Sequence, residues 1–196
     1  MVYIGIRFLI EEITMREDEP GNRQLKPLRT ELASPQNQWD RVWPLARQYM
    51  LGPNICSFLF KLFHQILPTA ERVARILPNQ SATCSRCQVQ TPETLYHAFF
   101  DCPANQGVST VLLNGLKKYD PDLTPSKILT LDFSSEEEFQ FSMIWITASF
   151  LCELFQLRVD KKRVELIKIR SELEASCRLL RESRLDNTIE MLSQIF

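Results

Sequence analysis

Three of the chain's six cysteines and one of its two histidines fall within the nineteen residues CSRCQVQTPETLYHAFFDC, positions 84–102. Their spacing is Cys84-x2-Cys87-x9-His97-x4-Cys102. A two-residue gap lets a tight turn present two sulfurs to one ion, and the longer spacer brings the chain back with an imidazole and a third sulfur. Four soft or borderline donors complete a tetrahedral set. That set suits Zn2+, which accepts mixed nitrogen and sulfur ligands and imposes no planar geometry. With the fourth position filled there is no place for an activated water, so the expected site is structural rather than hydrolytic. Two other readings compete with it. One is a chance grouping of small core residues. The other is a catalytic Cys/His pair, which lacks a third orienting group and any mark of a nucleophile. Cys56, Cys152 and Cys177 lie in apolar or amphipathic stretches and read as core or seam residues. His64, off the motif, reads as a partly buried, hydrogen-bonded histidine.

The elements that must hold this cluster are helical. In 196 residues there are only five glycines, while leucine, glutamate, arginine and lysine abound, a balance that suits helices over turn-rich sheets. The expected fold is mainly α: a helical domain with an inserted small Cys-Cys-His-Cys zinc finger and long C-terminal helices. We divide it into a leader over 1–36 with a short strand near 3–10, N-terminal helices over 37–78, the finger-like segment over 79–105 and a C-terminal helical region over 106–196. Trp39, Val42 and Trp43 start the helical pattern before Pro44. Ile55, Phe58, Leu59, Leu62, Phe63 and Ile66 form an apolar stripe between Pro53 and Pro68, and Thr69 is placed to cap the next short helix. Pro92 is expected at the first position of a helix carrying His97. Val108, Val111, Leu112 and Leu116 predict another helix, followed by the turn-rich YDPDLTP. Ser135 and Glu138 form a capping-box pattern ahead of a segment, 136–157, that is apolar on nearly every side. Val159, Leu166, Leu173 and Leu180 recur every seven residues and predict one long helix over 158–184, its seam packed on the preceding helix.

Compartment and partners follow from what the composition allows. The N-terminal MVYIGIRFLI has no preceding basic region and no small-residue cleavage site, so no signal peptide is expected. The most apolar later run, at 143–152, is shorter than the roughly 20 residues a membrane span needs. The expected location is intracellular, nucleus or cytoplasm, where clustered cysteines point to metal or catalysis rather than disulfides. The formal charge is only −1, so any basic surface must be local. Residues 158–184 hold nine basic residues, including Arg158, Lys161, Lys162 and Arg163, against five acidic ones. Arg72, Arg75 and Arg86 add charge near the finger. Two readings of these charges stand side by side: a solvated helix face with internal pairs, or a phosphate-binding surface beside Tyr96, Phe99 and Phe100 as stacking aromatics.

The segments WDRVW, FLFKLFHQILPTAERVARI, CSRCQ, ETLYHAFFDCPANQGV and RVELIKIRSELEASCRLLRESR resemble the C-terminal zinc-binding region that follows the polymerase domain in non-LTR (LINE-type) retrotransposon reverse transcriptases. The resemblance spans about residues 38–185. It implies that Cys84, Cys87, His97 and Cys102 are the family's zinc ligands, and that the region helps to hold template RNA or target DNA. No Tyr-x-Asp-Asp signature, no other convincing carboxylate set for two metals and no endonuclease region occur. The expected protein is therefore not an enzyme but a zinc-binding accessory domain that binds RNA or single-stranded DNA, with Arg86, Lys161, Lys162 and Arg163 as its nucleic-acid contacts. The alternative is a helical interaction module that self-associates through the 159–180 helix, with zinc purely structural. One departure concerns the knuckle: Gln88 and Val89 stand where glycine often follows a Cys-x2-Cys pair.

Overall fold

The computed structural model of the protein describes residues 51–63, 65–77, 79–87, 89–178 and 182–196, with backbone only at 137, 138 and 182–185. The expected leader, the Trp39 to Trp43 pattern, His64, Gln88 and Leu180 lie outside the described residues. What is described is mainly α, as the composition requires. Seven α-helices follow in order: α1 Pro53–Phe63, α2 Ala70–Ile76, α3 Gln106–Leu116, α4 Pro125–Thr130, α5 Glu137–Val159, α6 Leu166–Cys177 and α7 Glu182–Ile195. A single π-helical turn, His97–Asp101, lies between α2 and α3. No strand occurs among the described residues; Thr83 and Pro92 form one isolated antiparallel bridge.

The core is arranged around α5. Residues 141–151 of this helix are all buried, so a helix apolar on every side is here a central one with neighbours around it. By length and composition, Phe139–Val159 could cross a membrane, but 67% of that window is buried inside the fold. Helices α1, α6 and α7 and the π turn pack on α5, and α7 also packs on α3 and α6. The stripe on α1 behaves as its spacing predicts, with Phe58, Leu59 and Leu62 buried. Phe58 meets Phe99 of the π turn edge-on at 6.2 Å and Phe155 of α5 at 5.8 Å, so one aromatic cluster joins α1, the π turn and α5. Ser142 and Thr188 share a buried 2.9 Å hydrogen bond that fixes α7 against α5.

Helix ends account for most departures from the sequence reading. Helix α1 stops at Gln65 rather than at Pro68, α4 stops at Leu131, and α5 stops at Lys161. In all three, a residue with φ of 54 or 55° donates to the carbonyl three back, and the next donates to the carbonyl five back. These paired bonds form the Schellman ending that usually recruits glycine. Lys161 and Lys162 complete it at the end of α5, bonding the carbonyls of Arg158 and Leu157 at 3.1 and 2.9 Å. The single helix expected over 158–184 is therefore broken at 160–165, and the seven-residue seam does not run along one helix. Val159 is exposed and ends α5, whereas Ile169 and Leu173 on α6 are buried within the chain itself, packing against the preceding helix as expected.

Two N-termini also differ. Glu136, not Ser135, occupies the capping position of α5, and it makes no side-chain cap bond. The Ser135 hydroxyl is buried without a partner among the described residues, so the capping box does not form. Helix α4 begins at Pro125, the last residue of the stretch expected to be a turn, and continues beyond it to Thr130. Its signal was Thr124 followed by Pro125: the Thr124 hydroxyl accepts from the Lys127 amide, and proline sits at the start where no intrahelical N–H is needed. Thr69 caps α2 as expected, accepting from the Arg72 amide at 3.3 Å.

Helices α3 and α7 approach closely at Gly115. A Cβ there would lie 2.7 Å from Ile195 Cγ2 and 2.8 Å from its Cα. A backbone atom cannot swing aside, so the helices would have to separate. Gly115→Ala is expected to cost about 1–3 kcal/mol despite its better helix propensity. A urea titration should show a lower midpoint; an unchanged or higher midpoint would mean that the contact yields freely.

Candidate metal centre

The finger is assembled from three short pieces. After α2 the chain turns through Cys84 and Cys87, crosses back at the Thr83–Pro92 bridge, and enters the helical turn that carries His97. Cys84 N–H donates to Thr91 O at 3.0 Å and Glu93 N–H to Ala82 O at 2.9 Å, so the outgoing and returning segments lie side by side. Pro92 does not begin a helix, as the sequence reading expected; it belongs to this bridge, where its missing N–H costs nothing. Thr94 takes over the capping role. Its hydroxyl accepts from the His97 amide at 3.0 Å and its carbonyl from Ala98 at 2.9 Å.

The widened turn follows from ligand spacing. Cys102 follows His97 by five positions, and in an α-helix the two would point about 140° apart. Here Cys102 N–H donates to His97 O at 2.8 Å, an i to i+5 bond that brings the two residues towards the same side. The Ala98 and Phe99 carbonyls, which end the turn, are then taken up from α3. Asn105 Nδ2 donates to Ala98 O at 2.6 Å, and the Ser109 hydroxyl donates to Phe99 O. Asn105 and Ser109 are both buried, so the return of the chain after Cys102 is fixed by polar contacts inside the core.

Together these pieces gather Cys84, Cys87, His97 and Cys102, whose ligand atoms all lie within 4.8 Å of one another. Cys84 Sγ is 3.8 Å from Cys102 Sγ, and Cys87 Sγ is 3.4 Å from His97 Nε2. An ion bonded tetrahedrally at about 2.3 Å to sulfur and about 2.0–2.1 Å to nitrogen places sulfurs about 3.8 Å apart and sulfur and nitrogen about 3.6 Å apart. The donor set and its spacing therefore fit one tetrahedral ion. Cys84, His97 and Cys102 are buried and Cys87 is half-buried. Thr91 Oγ1 lies 3.5 Å from His97 Nδ1, on the side away from the sulfurs, where a partner would orient the ring. The Arg86 amide points at Cys84 Sγ at 3.4 Å. Burial pushes the Cys84 thiol up to about 12 and also raises Cys102, so without an ion these sulfurs keep their protons.

Beside the sulfurs stands a carboxylate that the sequence reading did not single out. Glu93 is 2% exposed, and its Oε1 lies 3.5 Å from Cys84 Sγ. Arg158, at the end of α5, grips it with both nitrogens: Nε donates to Oε1 at 2.9 Å and a terminal nitrogen donates to Oε2. Oε2 also accepts the Ala70 amide, the first of α2, at 2.8 Å. Burial acts to raise the Glu93 pKa, but the hydrogen bonds from Arg158 and Ala70 and the Arg158 charge outweigh it and leave it below the usual carboxylate range. The stability this group contributes is thus present above the ordinary carboxylate pKa and lost as the pH falls through the lowered one. In sequence nothing marks Glu93 for this role, and Arg158 reads only as one of nine basic residues. Their partnership spans 65 positions and leaves no local signal.

The four residues expected to contact nucleic acid also meet. A terminal nitrogen of Arg86, between the first two ligands, donates to the Lys162 carbonyl at 2.9 Å, placing it against the 160–165 loop. Lys161, Lys162 and Arg163 are exposed there, and Lys162 pairs with Asp160 at 3.0 Å. Other expected charges are engaged elsewhere: Arg158 with Glu93, Arg75 with Glu71, and Arg170 with Glu174. Of the aromatics, Phe99 and Phe100 are buried, and Tyr96, 38% exposed, rests on Phe100.

Residues 26–108 match a family described as zinc-binding in reverse transcriptase, a span that contains all four ligands. Comparison with curated proteins finds no match, and comparison with solved structures finds none.

Removal of a ligand should abolish the centre. Cys102→Ser is expected to leave purified protein without stoichiometric metal, where elemental analysis of the wild type finds about one ion per chain. Metal uptake by the apo protein should release protons, including those of Cys84 and Cys102, so affinity should fall as the pH falls. Calorimetry in buffers of different ionisation heat measures that release; equal heats in all buffers would contradict it.

Proposed function

We propose that this chain carries a zinc-binding accessory region related to that of reverse transcriptases, which holds RNA or single-stranded DNA by its phosphates and performs no catalysis of its own. Zinc is the ion that the Cys3His donor set favours, since tetrahedral sulfur and nitrogen coordination is its commonest structural arrangement. The four ligands use all four positions, which speaks for a structural ion rather than a hydrolytic one. Such a site works inside the cell, where thiols stay reduced.

The observation that carries the nucleic-acid reading is the Arg86 to Lys162 hydrogen bond. It ties the finger to the exposed loop and concentrates Arg86, Lys161, Lys162 and Arg163 in one place, although the chain as a whole is nearly neutral. A local cluster of this kind supplies phosphate affinity without base readout. Tyr96 is the one aromatic of the three expected that keeps enough exposure to stack on a base.

The test is a salt series with a fluorescent oligoribonucleotide and its single-stranded DNA equivalent. Wild type should bind both with affinity that falls steeply with salt. Lys161/Lys162/Arg163→Ala should reduce the log–log salt slope by about 2. Absence of salt-sensitive binding in wild type would sink the reading and leave the helical interaction module, with self-association measured by sedimentation, as the function to pursue.

A further inference from the structure

The junction between α5 and α6 is held in an unfavourable backbone shape. Lys161 has φ of 55°, a left-handed conformation that a residue with a Cβ avoids unless its surroundings impose it. The cap bonds from Lys161 to Arg158 and from Lys162 to Leu157 contribute, but two contacts from outside the helix also converge here. Both begin beside metal ligands.

The first runs from Cys84 through Glu93 to Arg158. Glu93 Oε1 lies 3.5 Å from Cys84 Sγ and accepts Arg158 Nε at 2.9 Å, while the Arg158 carbonyl receives the Lys161 amide at 3.1 Å. The second runs through Arg86. Its amide faces Cys84 Sγ at 3.4 Å, and its side chain holds the Lys162 carbonyl at 2.9 Å. Lys162 is the residue whose own amide closes the α5 cap on Leu157 at 2.9 Å. The finger therefore grips both sides of the left-handed residue. The two short arms, joined by one isolated bridge, have little apolar surface of their own, so an ion held by the four side chains would supply much of the finger's closure.

We propose that the metal centre acts as a clamp on the α5–α6 junction: with the ion bound, Glu93 and Arg86 hold residues 158–165 in the observed shape, and without it the junction opens while the helical core stays folded. Glu93 and Arg86 are positioning residues in this device. The inference rests on the metal reading above but does not require the loop to bind nucleic acid. Where the loop does bind, its affinity becomes dependent on zinc.

Hydrogen exchange on the full chain, zinc-loaded and after EDTA treatment, tests this, with zinc content measured on the same samples. Chelation should speed exchange of the amides at 160–162 by about tenfold or more while those of α3 and α7 stay protected. Arg86→Ala, which leaves the buried Glu93–Arg158 pair intact, should retain zinc and still show faster exchange at 160–162. Glu93→Gln should do the same more strongly if it folds; the Arg86 variant decides if it does not. Unchanged junction exchange in zinc-loaded Arg86→Ala, or on chelation of the wild type, overturns the clamp alone. Uniform loss of protection throughout the chain on chelation overturns it as well, since the ion would then hold the whole fold. A wild type that takes up no zinc overturns the clamp and the metal reading together.

Discussion

A carboxylate buried to 2% exposure beside the Cys84 thiol is an expensive group to fold around, and in this chain its partners come from three separate places. Glu93 takes two hydrogen bonds from Arg158 at the end of α5, one from the first amide of α2, and lies against the Cys84 sulfur. Removing a carboxylate and a guanidinium from water costs several kcal/mol per ion, and the attraction recovers this only when geometry and further hydrogen bonds are good. The Arg158 fork and the α2 amide meet that condition. The net gain is small even so. The consequence is positional: any arrangement that separates α2, the finger and α5 leaves a charge buried alone, which costs about 3–5 kcal/mol.

With those three elements fixed, the apolar packing has a definite register. Phe155 precedes Arg158 by one helical turn and carries the guanidinium over its ring at 5.6 Å. The same ring meets Phe58 and Phe99, at 5.8 and 6.3 Å, so the polar junction and the aromatic cluster share a side chain. From there the core continues along α5 to Met191, Leu192 and Ile195 of α7, which is drawn close to α3 by Gly115. The finger is thus not an appendage hung from a helical domain. Its π turn is part of the core wall, and Arg86 and Glu93 join it to the end of the central helix.

The sequence carried the parts of this arrangement that are written in local spacing. The Cys84–Cys102 cluster, the α1 stripe, the Thr69 cap and the all-round apolar character of α5 were legible because each is a pattern of residue types within one short continuous stretch. What escaped is of another kind. Gln65, Leu131 and Lys161 end helices in a left-handed conformation that glycine normally announces, and none of them is glycine. The heptad through Val159, Leu166 and Leu173 looked like one helix because nothing in its residue types marks the break after Val159. The Glu93–Arg158 pair and the Gly115–Ile195 approach are tertiary facts, and a chain read from end to end contains each partner without the other.

The order of cause around the finger runs from spacing to backbone to core. Four residues between His97 and Cys102 put the two ligands on different sides of an ordinary helix, so the backbone widens to an i to i+5 turn to bring them together. That turn leaves its carbonyls facing inward. The Ala98 oxygen loses the Cys102 amide that an α-helix would have given it, and the Phe99 oxygen has no donor at position 103, a proline; Asn105 and the Ser109 hydroxyl serve the two from the start of α3. Because Asn105 and Ser109 are buried, α3 is locked to the metal segment, and through Leu112, Leu116 and Gly115 it passes that constraint to α7. A spacing that reads in the sequence as a ligand motif is therefore also an instruction about the fold. It chooses a turn type, the turn exposes particular carbonyls, and those carbonyls select the polar residues that open the next helix.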